Sequence, residues 1–231
     1  VRIKHPVLGI LALFWIFNPV AAQAQVEDDS GLWLALFAQD DLRGKDCRWK
    51  WWLDSHLRFL DDADGLNQSI VRPGVGWKMS DKMTGWAGYA WIHNRTLLGA
   101  EFEEHRAWQQ LTWSTSSESW SLLLRPRLEQ RFVETGDDVG LRFRQFIRLQ
   151  RQIPTLPRLS LVSWDELFFH CNDTDWGARS GFDQNRVFVG LGIKSQPGSR
   201  LRTEIGYLNQ SIDNASNPNR SHHNLAINFF Y

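Results

Sequence analysis

From Trp120 the chain reads "WSLLLRPRLEQRFVE", and its residues sort by parity. Trp120, Leu122, Leu124, Pro126, Leu128 and Phe132 fall on one face; Arg125, Arg127, Glu129 and Arg131 fall on the other. A period of two belongs to a β-strand, because a helix would wind both sets around its axis. The pattern recurs along the chain. "LRFRQFIRLQ" sets Leu141, Phe143, Ile147 and Leu149 against Arg142, Arg144, Arg148 and Gln150, and "RWKWWLDSHLRFL" sets Trp49, Trp51, Leu53, Leu57 and Phe59 against Lys50, Asp54, His56 and Arg58. A soluble sandwich buries its apolar faces against each other and wets the polar ones. Here the apolar face is rich in Trp and Leu, and the other carries closely spaced charges of both signs. That arrangement suits a transmembrane barrel with lipid outside and a polar lumen.

Further strands are read at "SIVRPGVGWKM", "GWAGYAWIH", "EEHRAWQQLTW", "RLSLVSWDELFF", "NRVFVGLGIK", "RLRTEIGYLNQ" and the closing "NLAINFFY". The expected fold is therefore all-β, an antiparallel up-and-down barrel of about ten strands from Arg48 to Tyr231, with ten to twelve as the range. The segment "GLWLALFAQDDL", residues 31–42, also resembles a strand. It would lie in the lumen, pair at one edge, or join a further strand, since bacterial barrels keep an even number. Short connections ("SDKMT", "STSSE", "IPTLP", "SQPGS") alternate with long ones ("DDADGLNQ", "NRTLLGAEF", "VETGDDVG", "CNDTDWGARSG", "SIDNASNPNRSHH"). Outer-membrane barrels keep short turns on the periplasmic side, which would place the C-terminus there.

The N-terminus carries the features of a cleaved export signal at residues 1–24: a basic "VRIKH", an apolar run, and Ala22-Gln23-Ala24 as a small-residue cleavage site. Residues 25–231 would form a single domain. Lys plus Arg and Asp plus Glu number 26 each, and the leader removes two cations, so the remainder is slightly acidic and nucleic acid is an unsuitable partner. Cys47 and Cys171 fall near opposite ends of the expected barrel and are not expected to pair. No Cys/His cluster has metal-ligand spacing, and no cofactor is implied.

At "GFDQNRVFVGLG", "RLRTEIGYLNQ" and the aromatic last strand, with "EEHRAWQQL" in mid-chain, the sequence resembles the bacterial outer-membrane family catalogued as domain of unknown function 2490. The resemblance implies a barrel in the outer membrane of a Gram-negative bacterium, and it implies no activity.

The inward charges are the notable chemistry. Arg125, Arg127, Glu129 and Arg131 lie beside Arg142, Arg144 and Arg148, and Glu104, Arg106, Gln110, Glu166, Gln184, Arg186, Arg202, Glu204 and Gln210 would join them. These side chains would interlock as a paired structural core, or their surplus of Arg would line a narrow, porin-like passage favouring anions. A competing class is a rim hydrolase acting on lipid, lipopolysaccharide or peptide. It would draw on Asp61, Asp62, Asp64, His93, His170, Asp173, Asp175, Ser221, His222 and His223, whose spacing matches no catalytic pattern, so the reading leans against an enzyme. Trp49, Trp51, Trp77, Trp113 and Trp120 suit an interfacial girdle. Trp108 and Trp164 are candidates to point inward. Phe229 and Tyr231 fit the C-terminal signal read by barrel-assembly machinery; the expected partners are that machinery and membrane lipid, and the expected state is a monomer.

Overall fold

A computed structural model describes residues 26–44, 47–60, 65–96, 98–196, 199–213 and 219–231. The expected leader, and Asp61, Asp62 and Asp64, lie outside these residues. Eleven strands follow one another: β1 (Val26–Asp41), β2 (Trp49–Leu60), β3 (Gly65–Lys78), β4 (Met83–Arg95), β5 (Glu101–Ser116), β6 (Trp120–Val133), β7 (Val139–Gln152), β8 (Leu159–His170), β9 (Gly181–Lys194), β10 (Arg202–Ile212) and β11 (Asn219–Phe230). Each pairs with its sequence neighbour, and β1 meets β11 to close a barrel.

Eleven lies within the expected range and one above the favoured ten. The added strand is β1, which contains the left-over segment 31–42. It pairs antiparallel with β2 and parallel with β11, from Val26 opposite Asn219 to Phe37 opposite Phe230. An odd number of up-and-down strands must close on a parallel pair. The sequence-level objection to an odd count is overcome by two complete ladders and by a stack of Phe37 on Phe230, with centroids 4.9 Å apart. The Tyr231 amide donates to the Phe37 carbonyl at 2.9 Å, so the seam is bonded to the last residue.

The strict alternation of short and long connections is not kept. Strands β3, β5 and β11 extend into stretches that read as loop, which leaves 79–82, 117–119 and 153–158 at the C-terminal end against 96–100, 134–138 and 171–180 at the other. Only 171–180 is distinctly long. The extensions carry polar residues such as Asn67, Glu101 and Ser221, and composition alone assigns them to loops.

Parity sets the faces as the strand pattern requires. Leu57, Val71, Val75, Tyr89, Leu128, Phe132, Phe143, Leu161, Val189, Tyr207, Leu225 and Phe229 stand exposed around the outside. Trp49 and Trp77 meet edge to face at 5.0 Å near the C-terminal end, and Trp120 is exposed at the same end. On β8, where facing is hardest to read, Trp164 turns inward and stacks on Phe188 at 5.3 Å. Asp165 turns outward and accepts from Asn185 at 2.9 Å. Another outward polar pair, Gln109 and Gln130, exchanges two amide bonds of 3.1 Å, so these groups satisfy each other on the apolar face.

Two apolar clusters fill part of the interior: Trp52, Ile70, Trp86, Ala90, Ile92 and Trp108 on one wall, and Trp33, Val162, Phe188, Leu208 and Ala226 on the other. Trp108 fits because Gly74 and Gly88 leave its ring room; a Cβ on Gly88 would overlap that ring and the Pro73 carbonyl. Gly88→Val should therefore lower folding stability by about 1–3 kcal/mol through overpacking. Urea titration of the barrel refolded in lipid vesicles would measure this, with Ala87→Val on the outer face as a near-neutral control.

Candidate functional site

The interior charges form a connected network. Glu129, fully buried on β6, accepts from Arg142 at 2.7 Å and 3.1 Å and from Arg144 at 2.5 Å. It also lies 3.7 Å from Arg106 and 3.6 Å from Arg127. Glu104 takes both guanidinium edges of its neighbours, from Arg106 at 2.7 Å and 2.8 Å and from Arg131 at 2.5 Å and 3.1 Å. Glu166 pairs with Arg144 at 2.7 Å and lies 3.6 Å from Arg125. Glu204 holds Arg148 and, at 3.0 Å, Arg202. Arg127 bonds the side-chain oxygen of Gln110 twice, and Gln210 bonds Gln184. Bidentate Arg–carboxylate geometry suits a buried setting, since it pairs charge while satisfying several donors.

Residues from strands that the sequence reading treated less fully complete the network. Asp54 is fully buried and accepts from Trp52 at 2.7 Å and Arg72 at 3.3 Å. Asp183 contacts Arg142 at 3.3 Å and His170 at 3.4 Å. Arg58 and Arg186 pair with no carboxylate among the described residues: Arg58 donates to Gln68 at 2.5 Å and Arg186 to Gln184 at 3.2 Å. Both guanidiniums lie against the Trp33 ring, at 3.9 Å and 4.9 Å. Parity places Asp54 and Arg58 on the inward face of their strand, and the same rule applied to the next strand would have found Arg72. Trp33 was hidden because its strand was left unplaced.

Two cavities enter from opposite ends. One of about 980 Å³ opens beside Asp41, Lys78, Arg200 and Tyr231 at the C-terminal end. The other, of about 410 Å³, lies toward the 171–180 connection and is lined by Arg95, Arg106, Arg131, Arg142, Trp176 and Asp183 among others. Trp33, Arg58, Arg72, Arg144 and Arg186 line both, so these five side chains form the partition between them.

The 171–180 connection is held over the smaller cavity. The amides of Asp137 and Asp138 donate to the Asp175 carboxylate at 2.8 Å and 3.2 Å, and Trp176 donates its ring N–H to the Asp138 carbonyl at 2.8 Å. Gly140 leaves space for the Trp176 ring, which lies 4.8 Å from the Arg131 guanidinium. The Asp137 amide, with that of Asp138, holds the Asp175 carboxyl below its ordinary value of 3.8. A carboxylate with a lowered folded-state pKa contributes above its unfolded value, and that contribution is lost as pH falls through the lowered one. Asp175→Ala should thus speed hydrogen exchange in 134–138 at neutral pH. The two proteins should converge only as pH falls below about 3.8.

Among the described residues, the rim side chains do not assemble into a catalytic triad. His223 Nε2 lies 3.4 Å from Ser221 Oγ, but the same nitrogen is 3.6 Å from Asp28, and Nδ1 is taken by the Tyr207 hydroxyl at 2.5 Å. A triad needs the acid on the nitrogen opposite the serine. His222 contacts Asp29 instead, His93 is 3.9 Å from Glu101, and Asp173 is 3.6 Å from Arg179. Cys47 and Cys171 are unpaired thiols at opposite ends. No group of metal-binding side chains occurs among the described residues.

The molecule is a closed eleven-stranded β-barrel with an apolar outside and an arginine-rich interior, a class defined by topology and facing. Within that class the chain belongs to the family described as Protein of unknown function (DUF2490), whose model matches residues 30–222. It is 33% identical over 230 residues to an uncharacterised protein of Methylorubrum extorquens, a match covering 99% of this chain and 98% of that one. No solved structure matches.

Proposed function

We propose that the protein is an outer-membrane barrel whose interior forms a narrow passage favouring small anions, constricted by the partition of Trp33, Arg58, Arg72, Arg144 and Arg186. Support for the membrane comes from the exposed apolar belt, since water-soluble monomers rarely expose apolar side chains all around a barrel. Strands of 11 to 16 residues are long enough to cross a hydrocarbon core at a tilt. The single observation that carries the passage is that cavities from both ends reach the same arginines. Inward arginines outnumber inward carboxylates, and basic constrictions select anions. By this reading the C-terminus is periplasmic and 171–180 faces outward.

The paired core offers a second reading, a purely structural plug, favoured by the many partners of Glu129. Chloride efflux from vesicles containing the refolded barrel separates the two. Efflux above empty vesicles, raised by Arg144→Gln, supports the passage. Vesicles as tight as controls favour the plug. Tight vesicles with turnover of added phospholipid would point to a rim hydrolase.

A further inference from the structure

The smaller cavity is lined by eight arginines against two carboxylates, Glu104 and Asp183, among the described residues. Within its wall Trp33 Nε1, Arg58 Nε, Arg72 Nε and Asn94 Nδ2 are buried with no hydrogen-bond partner among the described residues. Trp33 and Arg72 are only 7% and 4% exposed. A buried donor left unmade costs about 1–3 kcal/mol, and four around one cavity is a concentrated deficit. The charges show the same imbalance. Arg58 and Arg186 flank one indole ring with no carboxylate within ion-pair distance of either among the described residues, though Glu166 stands opposite Arg186 on the neighbouring strand, so two like charges approach a shared point. Two acceptors beside these donors are already used: Gln68 Oε1 takes Arg58, and Asn94 Oδ1 takes Gln68.

We infer that this cavity binds a compact, multiply charged oxyanion of the phosphate class, which the guanidiniums of Arg58, Arg72 and Arg186 hold from several sides. Such an anion supplies negative charge where eight lining guanidiniums meet two carboxylates, and acceptor oxygens for their N–H groups. Arginine suits phosphate oxygens because its planar fork donates in parallel. A volume of about 410 Å³ admits a di- or triphosphate-sized group. The 134–138 and 171–180 connections border the mouth, so the ligand would enter as a dissolved anion. The site shares arginines with the proposed passage, yet binding needs no conduction.

The test uses the barrel refolded in zwitterionic detergent, titrated with inorganic pyrophosphate by calorimetry, with chloride at equal ionic strength as the reference. Saturable binding of one equivalent is expected, together with a higher temperature for loss of the heat-modifiable gel band, since a ligand bound only to the folded state stabilises it. Arg58→Gln should weaken binding about tenfold, one charge-assisted bond's worth, while the ligand-free barrel is no less heat-stable because a repulsion has been removed. Adding vesicles rich in anionic phospholipid should not compete; competition would move the ligand to a lipid headgroup and overturn the dissolved-anion assignment. No saturable heat, or unchanged affinity in a folded Arg58→Gln, would overturn the site. A barrel that binds pyrophosphate but passes no chloride keeps the site and loses the passage; one that conducts without binding does the reverse.

Discussion

Replacing Glu129 by Gln is expected to destabilise the folded barrel by about 3–5 kcal/mol, the usual cost of stripping the counter-charge from a buried ion pair. The shape is kept and one negative charge is lost. Arg142 and Arg144 then face an amide, and Arg106 and Arg127 lose the nearest carboxylate on that side. Arg142 retains Asp183 and Arg144 retains Glu166, whereas Arg127 keeps its bonds to Gln110 and the Trp108 ring at 4.7 Å but no carboxylate among the described residues. The sharper expectation is therefore in the double variant: adding Arg127→Gln to Glu129→Gln should recover part of the loss. Urea unfolding in vesicles, followed by gel migration and tryptophan fluorescence, reads both. Simple additivity would mean that the two side chains do not interact.

Deleting Phe230 and Tyr231 is expected to leave only a small fraction of the protein inserted. The deletion removes the Phe37 stack, the Tyr231-to-Phe37 bond and the Arg200 contact with the Tyr231 ring at 5.4 Å. These contacts lie at the parallel seam, where the first and last strands must find each other over the longest sequence separation in the fold. Exposed aromatics at 229 and 231 are also what an assembly factor could grip. Comparing inserted yield with purified lipid alone and with assembly machinery present separates the two contributions. Deletion should impair both, while Phe229→Ala, which leaves the stack intact, should impair only the assisted route. Wild-type yield after the deletion would refute the role of the tail.

Much of the barrel was legible because period-two alternation does not depend on length or partner. Arg125 through Arg131 and Arg142 through Arg148 could be assigned inward from their own strands alone. Closure was not legible. Whether residues 31–42 join the wall depends on a parallel ladder to β11 near the other end of the chain, a non-local fact with no local signature. Polar residues at strand ends concealed how far β3, β5 and β11 run, so loop lengths were misjudged. Asp165 broke its pattern because its partner, Asn185, comes from the next strand. The individual pairings of Glu129 were beyond reach, since any inward carboxylate could have met any inward Arg. What parity could supply was the sign of the interior, and the unpaired Arg58 and Arg186 are its sharpest expression.

The central claim is that the interior selects by charge, and the most direct measurement is the reversal potential of the reconstituted barrel across a planar bilayer under a potassium chloride gradient. A reversal potential displaced toward that of chloride is expected, moving toward zero in Arg58→Gln and Arg186→Gln. Displacement toward potassium, or a bilayer that stays silent with correctly folded protein inserted, would contradict it.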